Sequence, residues 1–157
     1  MKLKRILTLF TLLLICLSLY ACDNRKPADN KDTSSREVLS SIPENTVVDC
    51  QVISYDSDVL TVQYVNISGK QLMYGLRYTL YYRTADGYEP VERLYQDTFL
   101  IAYFLNVNES VTKEYNVLND YDVLKNGEYL FSMNFWEDGT PFKTEAAYAS
   151  FEIPYKK

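Results

Sequence analysis

Leu124-Lys125-Asn126-Gly127-Glu128-Tyr129 is the stretch on which the fold turns. Gly127 permits a left-handed backbone immediately before an extended run. That run, Glu128 to Trp136, alternates with period two. Tyr129, Phe131, Met133 and Phe135 fall on one side, and Leu130, Ser132, Asn134 and Trp136 on the other. Such alternation marks a strand with one face in a core. Tyr129 is the first inward residue, and a buried phenol needs a hydrogen-bond partner for its hydroxyl. Leu124, Gly127 and Tyr129 therefore form a candidate structural corner.

Working outward, the same period recurs through residues 46–157. Val47 to Tyr55 is a candidate strand, turned at Asp56-Ser57-Asp58. Val59 to Ile67 follows, with Leu60, Val62 and Tyr64 on one face and Thr61 and Gln63 on the other. Ser68-Gly69-Lys70 turns the chain into Tyr74 to Arg83. There Leu76, Tyr78, Leu80 and Tyr82 alternate with Arg77, Thr79, Tyr81 and Arg83. Asp86-Gly87 is a two-residue type I′ hairpin signal, since that turn needs positive φ at both centres. Tyr88 to Leu94 is a short strand that Pro90 assigns to an edge. Phe99 to Leu105 is apolar on both faces and suits a strand covered on both sides. Asn106 to Ser110 reads as a turn and Val111 to Val117 as a strand. Asn119 to Lys125 crosses irregularly to the last hairpin, whose second arm is Thr144 to Ile153.

Seven to eight short strands in about 110 residues, without helical periodicity, predict an all-β, immunoglobulin-like antiparallel β-sandwich in one domain. In immunoglobulin-type sandwiches a tyrosine at this corner turns its hydroxyl to the upstream backbone, two residues before a cysteine. Here Phe131 stands at the cysteine's position, so aromatic packing is expected in place of the inter-sheet bridge.

Residues 58–153 resemble the bacterial Ig-like domain found on Firmicutes lipoproteins and on the extracellular part of BlaR-type sensors. The matching stretches are Leu60 to Asn66, Tyr74-Gly75, Tyr78-Thr79-Leu80, Leu105 to Ser110 and Leu124 to Tyr129. The family usually has Leu-x-Pro-Gly-Glu-Ser between its fifth and sixth strands. This chain carries Val107 and Asn108 where proline and glycine are usual. The family carries no known catalytic residues, so the resemblance transfers none.

The N-terminus carries a different message. Lys2, Lys4 and Arg5 precede 15 mostly apolar residues, Ile6 to Tyr20. That is too short to span a bilayer and the right length for a signal peptide. Leu19-Tyr20-Ala21-Cys22 resembles the lipobox of bacterial lipoproteins, which implies a diacylglycerol thioether on Cys22 and removal of residues 1–21. Two acyl chains anchor stably where one is marginal. The expected location is the outer face of the bacterial cytoplasmic membrane. Residues 22–45 then form the lipidated cysteine and a polar stalk, too poor in apolar groups to offset its ordering entropy.

Removing residues 1–21 leaves 13 basic and 21 acidic residues, a net charge of −8. This argues against nucleic acid as a partner. Cys16 leaves with the signal and Cys22 carries lipid, so Cys50 has no intramolecular partner. The chain has no histidine, which removes Ser-His-Asp and Cys-His catalysis and the commonest zinc ligand. No cofactor or metal is expected. Asp56-Ser57-Asp58 and Asp120-Tyr121-Asp122 read as solvated loop carboxylates rather than a Ca²⁺ site. Asn66-Ile67-Ser68 and Asn108-Glu109-Ser110 are sequons by pattern only. The expected role is non-enzymatic: a membrane-anchored module contacting an envelope protein. The alternative is a wall-glycan binder using Tyr81, Tyr88 and Trp136, drawn from the 15 tyrosines and single tryptophan of the chain.

Overall fold

The computed structural model describes residues 37–94, 101–140 and 143–155. They form eight strands: β1 (Val48–Asp56), β2 (Val59–Asn66), β3 (Leu72–Arg83), β4 (Tyr88–Pro90), β5 (Tyr103–Leu105), β6 (Ser110–Asn116), β7 (Gly127–Glu137) and β8 (Thr144–Ile153). One sheet has the order β1-β2-β6; the other has the order β4-β3-β7-β8, with β5 also on β3. All pairings are antiparallel. The chain changes sheet between β2 and β3, between β5 and β6, and between β6 and β7. This is the immunoglobulin-type partition, with β1, β2 and β6 as strands A, B and E, and β3, β7 and β8 as C, F and G.

The core lies between the sheets and is largely aromatic. Leu60, Val62 and Tyr64 face Tyr78, Leu80, Phe131, Met133 and Phe135, all nearly inaccessible. Phe131 stacks on Tyr78 at 5.3 Å between ring centroids and meets Tyr115 at 5.6 Å. Tyr64 meets Phe135 edge-on at 5.5 Å. Each such ring pair adds about 0.5–1.5 kcal/mol beyond area burial. The Tyr64 and Tyr115 hydroxyls bond each other at 2.6 Å, which satisfies two phenols inside the core.

Several elements depart from their sequence reading. The strand at 88–94 stops at Pro90, and Arg93 beyond it pairs with Asp120 and lies over the Tyr78 and Tyr121 rings. Residues 99 and 100 of the expected run 99–105 lie outside the described residues, and among 101–105 the pairing is at Tyr103–Leu105. Ile101 and Phe104 are exposed, and among the described residues β5 pairs with β3 alone. Leu76 is also exposed: the register of β3 on β7 slips between Tyr74 and Tyr78 and lifts it out.

Asp86-Gly87 forms no two-residue turn. Arg83 pairs with Tyr88 across residues 84–87, the Thr84 N–H donates to the Gly87 carbonyl at 2.7 Å, and only Gly87 has positive φ. The two-residue turn with both φ positive occurs instead at Ser57 and Asp58, between paired Asp56 and Val59. Asn108 takes φ +59° in the turn before β6, a conformation asparagine tolerates.

Residues 37–45, read from the sequence as the end of a stalk, are tied to the sandwich. Leu39 exchanges backbone hydrogen bonds with Tyr88 on β4 at 2.8 and 3.0 Å. At the opposite margin of the same sheet, the Asn45 amide both donates to the Tyr148 carbonyl (2.9 Å) and accepts from its N–H (2.7 Å) on β8. The segment is thus a strap across the sheet. Leu130, fully buried on that outer face, accords with cover there.

Candidate functional site

The outer face of β4-β3-β7-β8 carries a groove of about 570 Å³, within the range typical of ligand sites. Cross-strand register builds it. Thr79 pairs with Ser132, and Ser132 with Tyr148. Asn134 pairs with Ala146, and Trp136 with Thr144. Period two sends all of these away from the core. Small groups on Thr79, Ser132 and Ala146 make the floor, and Tyr81, Tyr148 and Trp136 rise beside it. Glu37 of the strap borders the groove, as do Arg77, Gly75, Leu76, Ile101 and Ala102.

Tyr81 and Tyr148 are half-buried. Burial, each other's neighbourhood and the Glu37 carboxylate hold the Tyr81 phenol above its ordinary range. Burial also raises Tyr148, and a hydrogen bond to Ser132 offsets part of the rise. Both therefore stay neutral through physiological pH. Among the described residues, the Thr79 hydroxyl and the Asn134 amide make no hydrogen bond, so both are free for a ligand. Beyond Trp136 the row continues through Met73 to Phe104, which is 53% exposed, and Leu76 and Ile101 are exposed nearby. One end of the face is consequently apolar.

Of the three aromatics named from the sequence, the fold brings Tyr81 and Trp136 to this groove. Tyr88 does not belong to it: it is 1% exposed, its hydroxyl donates to Glu128, and the Arg83 guanidinium sits 4.8 Å over its ring. Its backbone pairs with Leu39 of the strap. Tyr148 joins the groove although its sequence context does not single it out. Alternation in β8 places it outward, and only pairing with Ser132 places it opposite Thr79.

At the corner, the Tyr129 hydroxyl donates to the Lys125 carbonyl at 2.9 Å. Gly127 has φ +141°, and a Cβ there would lie 2.8 Å from the Tyr82 ring. Leu124 is partly buried against the core. Cys22 and the segment 1–36 lie outside the described residues. The acidic loops are engaged internally, with Asp58 accepting from the Tyr55 hydroxyl at 2.9 Å and Asp120 paired with Arg93. Among the described residues no three acidic or cysteine side chains converge. Asn66 is fully buried and donates to the Lys70 and Leu105 carbonyls at 2.7 and 2.9 Å, which is incompatible with glycosylation of the folded chain.

No family model, curated protein or solved structure matches the chain.

Proposed function

We propose that this protein is a non-enzymatic, lipid-anchored, extracytoplasmic binding module that holds a cell-envelope component on the outer face of its five-stranded sheet. The groove between Tyr81, Tyr148 and Trp136 carries the reading. The basic start, the apolar run and Cys22 support anchoring outside the cytoplasmic membrane. The absence of histidine from the chain supports a binding role over a catalytic one. An envelope protein is the expected partner, and exposed Phe104, Leu76 and Ile101 would serve such a contact. The second reading is a wall glycan, favoured by rings above a floor of neutral hydroxyls and an amide.

The test is site-specific photo-cross-linking on intact cells. A cross-linker at Ala146, in the groove, should capture an envelope component. One at Ile67, exposed in the loop between β2 and β3, should not. Equal capture from both positions, or none from Ala146, would refute the groove as the docking site.

A further inference from the structure

We infer that the groove's occupant is an uncharged oligosaccharide, stacked on Tyr81, Tyr148 and Trp136 and hydrogen-bonded by Thr79, Ser132 and Asn134. The inference rests on the binding-module reading and, of its two partner classes, assigns the wall glycan rather than an envelope protein to the groove itself.

Three observations favour a sugar over a peptide or an anionic polymer. First, the groove lies on the face of a sheet, not at its margin. The central strand beneath it, β7, is paired on both sides, with its backbone groups committed to β3 through Thr79–Ser132 and to β8 through Ser132–Tyr148 and Asn134–Ala146. An extended peptide recognised by strand addition needs unpaired backbone groups, and at the centre of the groove β7 presents side chains alone. Second, those side chains are neutral donors and acceptors: the Thr79 and Ser132 hydroxyls and the Asn134 amide. They can answer the mixed donor and acceptor character of sugar hydroxyls in both directions. Third, charge is balanced where the rest of the chain is acidic. Arg77 is the cation and Glu37 the anion among the lining residues, so a polyphosphate chain would meet one guanidinium and an overall negative protein.

The length fits a chain of sugars. From the Tyr81–Leu130 pair to the Trp136–Thr144 pair, β7 advances six residues, about 20 Å at ~3.3 Å per residue. Aromatic rings at both ends of that span give apolar platforms for the C–H faces of pyranose rings, at low conformational cost.

Trp136 is the single tryptophan of the chain, so its emission reports on the groove alone. The full-length protein in detergent is titrated with two uncharged probes, chitotetraose and maltotetraose. A saturable change in emission with either is expected, and which one acts tells an N-acetylated from a plain hexose polymer. Asn134→Ala, at an exposed position, should weaken binding about tenfold with circular dichroism unchanged. An Ile67→Ala control should bind normally. No response to either sugar, or a response that survives both Asn134→Ala and Tyr81→Ala, overturns the inference. An envelope protein captured from Ala146 on cells, with no sugar response in vitro, would overturn it while leaving the binding-module reading in place.

Discussion

At the scale of single residues, tyrosine carries structure more often than display. Tyr64, Tyr115, Tyr121 and Tyr129 each have a hydroxyl partner inside the sandwich. Tyr121 is the most economical: it donates to the Tyr78 carbonyl and accepts from the Leu80 N–H, both at 3.1 Å, fastening the crossing loop to β3. Tyr129→Phe keeps the ring against Phe151 and Tyr82 but strips the Lys125 carbonyl of its donor. We expect a loss of about 1–3 kcal/mol, read as a lower urea midpoint with unchanged m-value. Asn66 shows what local patterns miss. It reads as a sequon, yet its buried amide joins the turn after β2 to β5. Its neighbours in sequence give no sign that Leu105 will be across from it.

At the scale of elements, the strap is the least foreseen feature. Residues 37–45 have the composition of a linker, and their attachment depends on partners far along the chain at Tyr88 and Tyr148. The matching signal is Gly87. Its φ of +139° and the 2.5 Å that a Cβ would leave to the Leu39 carbonyl oxygen make glycine the residue that fits. Gly87→Ala should therefore detach the strap while the sandwich persists. Limited proteolysis should then cut within 37–45 in the variant and spare it in the parent protein. Equal resistance in both would contradict the strap's dependence on Gly87.

At the scale of the whole molecule, the aromatic core predicts sensitivity to alkali. Burial pushes Tyr64, Tyr78 and Tyr115 far above the ordinary phenol value, and Tyr121 and Cys50 up to about 12. These groups are neutral in the folded state and ionise more readily once unfolded. Their contribution is intact below about pH 8, where both states are protonated, and is lost as the pH rises through 9 for Cys50 and 10 for the phenols toward 12. Each phenol held neutral can cost up to ~1.4 kcal/mol per pH unit in that window. The urea midpoint should be flat from pH 7 to 8, begin to fall near 9 and fall steeply above 10, together with the appearance of tyrosinate absorbance. A midpoint unchanged at pH 11 would contradict the burial of these rings.

The all-β class, most strand positions and the inward face of β2 and β7 were legible along the sequence, because side-chain direction in a strand alternates and hydrophobic residues declare the buried side. It also placed Tyr81 and Trp136 outward. It could not show that Leu76 is lifted out by a register slip, that Tyr88 is buried and pairs with Leu39 far back in the chain, or that Phe104 is exposed. Nor could it bring Thr79, Ser132 and Tyr148 into one row. Those outcomes depend on which strand lies beside which and in what register, and pairing between residues scores apart in sequence leaves no local periodicity to read. Alternation within each strand assigned the faces, and tertiary pairing assembled one of them into a groove.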